Sequence, residues 1–232
     1  MSQHAPAPDA DSTARAALAL GRELSPRQAQ VLAGYLGLVE RFRTRVNLVG
    51  PSDWRVVLET LVADSWHLAD FLAGEAASAV LPPPGAPLVC LDFGAGAGLP
   101  GLPLRAFWER GPYWLLEARQ KRCVFLSEAV ARLGLAGLRV AEGDVRRTVP
   151  DILAREPGAF VLCLGRAFAP WARFLALCRE LVRPPMAVLA MTGAPCPAGE
   201  TPDGFALGAE AAYAVAGKTR YLSLFAAPAA SM

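Results

Sequence analysis

The chain is short of the side chains on which much enzyme chemistry is built. Its 232 residues include two histidines and five cysteines. Cys90, Cys123, Cys163, Cys178 and Cys196 form no CxxC pair, and their number is odd. Most lie in apolar segments, where a free buried thiol is the simpler reading. With only His4 and His67 as further nitrogen ligands, a zinc site has little to be built from, and no metal is expected. Lysine is nearly absent: Lys121 and Lys218 stand among 23 basic residues, the rest being arginine. Long apolar runs are missing as well. The longest charge-free stretches, Ala76 to Leu91 and Pro184 to Gly199, fall short of the roughly 20 residues of a membrane span and are broken by proline. The N-terminus, MSQHAPAPDADSTARAA, has no basic region leading into an apolar core, so no secretion signal is expected. A reduced, cytoplasmic protein, monomeric and away from membranes, is the expectation.

What is present is apolar mass. Hydrophobic residues make up 53% of the chain and charged ones 19%, which excludes an intrinsically disordered protein. The 44 alanines dilute that figure but do not reverse it. A net charge of +2 argues against a protein that coats itself with nucleic acid, and leaves room for a local basic patch. The length suits one large domain, or a domain with an extension.

Residues 1–13, rich in Ala, Pro and Asp, read as a disordered tail. Residues 14–80 read as a helical extension, 81–226 as the main domain, and 227–232 as a second tail. Ser25 can cap a helix, Pro26 suits its first position, and Gln28 stands where a capping-box partner belongs. Val31, Leu32, Tyr35, Leu38, Val39 and Phe42 then recur at helical spacing. Arg41, Arg43 and Arg45 at its end are either an RNA-facing patch or a solvated helix end complementing the dipole. A second helix follows Pro51-Ser52, with Trp54, Leu58, Leu61, Val62, Ser65, Leu68 and Leu72 on or beside one face. After Pro82-Pro83-Pro84-Gly85 the pattern changes. Short apolar runs, LVCLDF, YWLLE, LRVAE, AFVLCL and MAVLAM, alternate with helical stretches, predicting an α/β fold with a parallel sheet covered on both faces. AYAVA and RYLSLF, around Gly217-Lys218-Thr219, predict a closing antiparallel hairpin.

The stretch LVCLDFGAGAGLPGLPLR, Leu88 to Arg105, is the most informative. A buried strand reaches Asp92, then Gly94, Gly96 and Gly98 make a tight turn, and a helix is expected from about Leu99 or Pro100. Glycine serves where the backbone needs unusual angles or a ligand must approach without a Cβ in the way. Such a loop at the carboxyl end of the first strand is where open α/β sheets bind nucleotide-like ligands. Gly96, Gly98 and Gly101 satisfy the dinucleotide spacing G-x-G-x-x-G, which would suit a nicotinamide-dependent oxidoreductase but is weak alone. D-x-G-x-G-x-G instead suits S-adenosylmethionine, whose methionine end can use an acid and exposed backbone amides. Pro100 and Pro103 near the helix start favour the latter, because proline removes the donors a pyrophosphate needs. Glu117, closing the second strand, could accept both ribose hydroxyls of either ligand. Asp144 could contact adenine or cap a helix.

These residues resemble the RsmG (GidB) family of guanine-N7 methyltransferases of small-subunit (16S) ribosomal RNA. DFGAGAGLPGLPL is similar to that family's D-V-G-(S/T)-G-x-G-x-P-G-(I/L)-P-L. Asn47-Leu48, Asp64-Ser65, LLEARQKRCVFL, Gly165-Arg166-Ala167-Phe168 and Arg220-Tyr221-Leu222 match further motifs in the family's order, from roughly Leu24 to Phe225. The resemblance implies a Rossmann-like class I methyltransferase domain and S-adenosyl-L-methionine as cofactor. It further implies 16S ribosomal RNA, or a small-subunit particle, as partner. It implies that Gly94 and Leu99, with Gly96 and Gly98 of the same loop, line the donor pocket. Glu117 would hold the ribose, Val145 and Arg146 would flank the adenine beside Asp144, and Arg166 would stand by the cofactor. Arg41, Arg43, Arg45, Lys121, Arg122 and Arg220 are the candidate RNA contacts. Two departures stand out: Met191-Thr192-Gly193 replaces an L-K-G segment, and Thr60 and Leu61 stand where the family tends to carry basic residues and a histidine. A degenerate homologue that binds the donor but acts elsewhere, or not at all, is the alternative.

Guanine N7 has an in-plane lone pair and needs no deprotonation before attacking a sulfonium methyl. Catalysis could then rest on in-line positioning and desolvation, consistent with the scarcity of histidine. No catalytic residue is singled out on this reading.

Overall fold

The computed structural model describes residues 6–197, 199, 201–202 and 204–227. Residues 1–5 and 228–232, parts of the two expected tails, lie outside the described residues. Helix α1 (Ala10–Ala19) begins inside the stretch 1–13 that composition reads as a tail. The local reason is a capping box. Asp9 accepts from the Ser12 amide while the Ser12 hydroxyl takes the Asp9 N–H, satisfying donors that a helix start otherwise leaves open. Composition masked that signal, since Ala and Asp serve a helix start as readily as a tail. Ala227, assigned to the second tail, is the last residue of the final strand.

Helix α2 (Pro26–Phe42) starts as the sequence indicates, with the reciprocal Ser25–Gln28 box in place. The second helical segment runs as α3 (Trp54–Val57), a π-helical turn (Leu58–Val62) and α4 (Ala63–Ala73), followed by the short α5 (Glu75–Ser78). The remaining elements alternate: β1 (Leu88–Phe93), α6 (Gly101–Leu104), β2 (Tyr113–Glu117), α7 (Gln120–Leu133), β3 (Leu138–Glu142), α8 (Val145–Leu153), β4 (Phe160–Arg166), α9 (Trp171–Leu181) and β5 (Met186–Thr192). The hairpin β6 (Ala206–Val215) and β7 (Lys218–Ala227) closes the chain. Its strands are longer than expected, and Ala216-Gly217 alone make the turn, both at positive φ as a two-residue hairpin requires.

Together the strands form one seven-stranded sheet in the order β3-β2-β1-β4-β5-β7-β6. All neighbours are parallel until β7, which enters antiparallel to β5 and β6. The sheet order therefore reverses between β1 and β4, and the carboxyl ends of both strands open at that switch point. Successive residues of β1 feed opposite layers: Leu88 and Cys90 join α2, α4 and α7 in one core, while Val89, Leu91 and Phe93 join α8 and α9 in the other. Every residue of β1 and β2 is buried, as expected of parallel strands covered on both faces. All five cysteines are free and buried.

Candidate active site

The loop after β1 is shaped by its glycines and fastened by the N-terminal helices. Gly94, Gly96 and Gly98 all take positive φ, a region that side chains disfavour. A Cβ on Gly94 would lie 2.7 Å from the Phe168 ring, and one on Gly98 2.2 Å from Leu102. Tyr35 of α2 donates its hydroxyl to the Ala97 carbonyl at 3.0 Å, and Ser65 of α4 donates to the Pro100 carbonyl at 3.1 Å. The helical turn α6 then starts at Gly101, slightly later than the sequence indicates.

Asp92 does not face the loop's ligand side. Its carboxyl is buried behind the turn, taking the Tyr113 hydroxyl at 3.0 Å and the Gly101 N–H. The sequence suggested this acid for the methionine end of a donor; the packing gives it to the protein interior instead. Gly101 explains the closeness, since a Cβ there would meet the Asp92 carboxylate at 2.6 Å. One Asp92 oxygen has no partner, and burial pushes the carboxyl up to about 7 against the lowering effect of Tyr113 and Gly101.

Glu117 is the carboxylate that does face the loop. It is 6% exposed, and its two oxygens accept from the Gly96 and Arg119 amides, each at 2.9 Å. Beside it lies a cavity of about 220 Å³ lined by Gly94, Glu117, Gly143, Asp144, Val145 and Phe168. Of the nine expected donor-pocket residues, Gly94, Glu117, Asp144 and Val145 line it, and Gly96 adjoins it through its amide on Glu117. Asp144 both lines this cavity and caps α8, its carboxylate accepting from the Arg146 amide at 2.8 Å. Leu99 packs against the core helices behind the loop. The Arg146 side chain points away, paired with Glu180 of α9. Phe168, which the sequence singled out only within a motif, is the wall of this cavity; edge-on contacts with Phe93 and Phe174 hold its ring.

Arg166 stands in a second, larger cavity on the other side of the same connection. That space, about 820 Å³, is lined among others by Asp64, Arg166, Trp171, Thr192, Lys218 and Arg220. Asp64 is fully buried, and Arg166 reaches it at 3.0 Å while Arg220 pairs with the same oxygen. Tyr213 donates to its other oxygen at 3.0 Å. The two guanidiniums are also held by the π-helical turn: Arg220 donates to the Thr60 carbonyl at 3.0 Å and Arg166 to the Leu61 carbonyl at 3.2 Å. A π turn displaces carbonyls from the α-helical ladder, and here those carbonyls hold the two cations. Trp171 stacks on Phe225 at one edge. Sequence reasoning missed Asp64, Tyr213, Trp171 and Lys218 as site residues, since only tertiary pairing brings them together across more than a hundred positions.

The expected RNA contacts divide. Arg45, Lys121 and Arg122 line one groove with Arg119, while Arg220 belongs to the larger cavity. Arg43 donates to the Ser52 carbonyl and braces its own loop, and Arg41 is exposed at the end of α2. Among the described residues no cluster of His, Cys, Asp or Glu forms a metal site, and no helix is long and apolar enough to cross a membrane.

A sheet of this order, with its antiparallel last strand and a glycine loop and a nearly buried carboxylate at the switch point, defines the class I methyltransferase fold. Solved structures agree on the fold: the delta-N METTL16 MTase domain superposes with a TM-score of 0.51 at 14% identity, over 85% of this chain and 96% of that one. A family model described as GidB, rRNA small subunit methyltransferase G, matches residues 28–198. "Ribosomal RNA small subunit methyltransferase G" of Nitratidesulfovibrio vulgaris (strain DP4) is 41% identical over 201 residues, 87% of this chain and 86% of that protein. The protein of the same name from Oleidesulfovibrio alaskensis is 36% identical, covering 87% of each. The chain belongs to the rRNA small subunit methyltransferase G family.

Proposed function

We propose that this protein transfers a methyl group from S-adenosylmethionine to N7 of a guanine in 16S ribosomal RNA, free or in a small-subunit particle. The observation that carries the reading is the pairing of two cavities across one short connection: Phe168 walls the smaller, and its neighbours Ala167 and Ala169 line the larger. The smaller offers contacts that suit the donor. Its glycine turn is a cradle that a Cβ would fill at Gly94, and the Glu117 carboxylate offers two acceptor oxygens to a pair of hydroxyls. Asp144 and Val145 would border the adenine, and Gly94, Gly96 and Gly98 would present backbone to the amino-acid end. The donor supplies an electrophilic methyl group.

Everything else asked of the chain is positioning. Arg166, Arg220 and Lys218 give the larger cavity cations for a nucleotide phosphate, and Trp171 gives it an aromatic wall. The cavity keeps this charge although Thr192, which lines it, is not a lysine, and Thr60 and Leu61 contribute through their carbonyls. Nothing favours a degenerate homologue. A guanine held there presents N7 without any proton transfer, so the residues need only orient it and exclude water, which can supply several kcal/mol, about 7–11 at the upper limit. The test is incubation with labelled methyl donor and unmodified small-subunit RNA or particles. The expected product is 7-methylguanosine; its absence from both substrates refutes the proposal.

A further inference from the structure

Several surface arginines answer a carboxylate: Arg22 pairs with Asp70, Arg132 with Glu128, Arg139 with Glu156 and Arg146 with Glu180. One groove instead gathers four basic side chains in one place. It has a volume of about 360 Å³, runs between residues 45–47 and the start of α7, and is lined by Arg45, Arg119, Lys121 and Arg122 with no acid among its walls. Among the described residues, Arg45, Arg119 and Lys121 make no ion pair. Four like charges around a concavity repel one another, and an anion rich in acceptor oxygens relieves that repulsion.

Arg122 is the member with a second engagement. It donates to the Asn47 carbonyl at 3.2 Å on the groove side, and its other terminal nitrogen lies 3.7 Å from the Glu117 carboxylate on the donor-pocket side. We propose that the groove takes a phosphodiester of the RNA chain and that Arg122 couples its occupancy to the donor pocket; this rests on the RNA methyltransferase reading above. One guanidinium cannot serve two anions at full strength. A phosphate in the groove draws Arg122 outward and leaves Glu117 to accept from the donor's ribose hydroxyls, so RNA tightens the donor. By linkage the donor tightens RNA by the same factor, about fivefold at the lower end of common couplings.

The test is calorimetric titration of S-adenosylhomocysteine into the full chain alone, with a saturating short single-stranded ribo-oligonucleotide, and with inorganic phosphate at the same phosphate concentration. The oligonucleotide is expected to raise affinity about fivefold and inorganic phosphate to leave it unchanged. Arg122→Gln should abolish the gain. Lys121→Gln should weaken oligonucleotide binding yet keep the gain at saturation. An unchanged affinity in the wild type or a gain that survives Arg122→Gln overturns the coupling, and an equal gain with inorganic phosphate overturns the RNA chain as the groove's ligand. Oligonucleotide binding indifferent to Lys121→Gln overturns the groove, and both readouts stand should Arg122→Gln fail to fold. Methylation of small-subunit RNA, assayed in parallel, decides the function separately from either result.

Discussion

Two carboxyl groups one strand apart show how position assigns a residue its work. Glu117 is nearly buried yet turned toward the loop, and both its oxygens accept backbone amides. Glu117→Gln leaves one acceptor oxygen where two are needed, and should weaken S-adenosylhomocysteine binding by about 1.5–3 kcal/mol in a calorimetric titration. Undiminished affinity would confine Glu117 to bracing the loop. Asp92, by contrast, is sealed inside with its pKa raised by burial to about 7. The unfolded carboxyl ionises near 3.9, so the folded protein holds this proton more tightly. Its contribution to stability is therefore fully present below about pH 4 and is lost as pH rises through about 7. Asp92→Asn imitates the protonated form, and thermal melts should show the variant gaining on the wild type between pH 5 and pH 8. A gap that is flat or closes over that range would mean that Asp92 is not a buried, proton-binding carboxyl. The glycine spacing made the loop legible at this scale, but it could not say which acid faced the ligand, because that depends on the side of the strand each residue occupies.

The connection between α3 and α4 is the element whose role is least visible in the sequence. Its apolar spacing announces a helix, and a helix is there, but the π turn inside it leaves only a small slip in that spacing. Thr60 and Leu61 look like losses of charge; their carbonyls instead hold Arg220 and Arg166 above Asp64. Asp64→Asn should remove the shared counter-charge and lower stability by about 3–5 kcal/mol, read as a shift of the urea midpoint with the slope unchanged. A loss under 1 kcal/mol would mean that solvent screens both arginines. The strands are easier to read than the helices, since a continuous apolar run punctuated by glycine suits little besides a buried strand. Helix α8 is harder because Pro150 lies within it, and α1 because a short polar box decides its start.

At the scale of the whole molecule, a net charge of +2 understates the local fields. Carboxylates neutralise several arginines elsewhere, while cations gather in the groove beside α7 and around the larger cavity. One phosphodiester in the groove and one nucleotide phosphate in the larger cavity imply a slope of about −1.4 for the logarithm of single-stranded RNA affinity against the logarithm of salt concentration. Filter binding across potassium chloride concentrations checks this, and a slope near zero would leave the groove without an electrostatic role. The fastening of the glycine loop by Tyr35 and Ser65 has a consequence for how the chain comes into being. Helices α2 and α4 are synthesised before the strands they pack on, and their buried faces share one core with Leu162, Leu189 and Leu224. At roughly 5–20 residues per second those faces wait about 8 to 30 seconds for the last strand of their sheet. During translation this protein must carry an unfinished apolar surface that only its last hairpin completes.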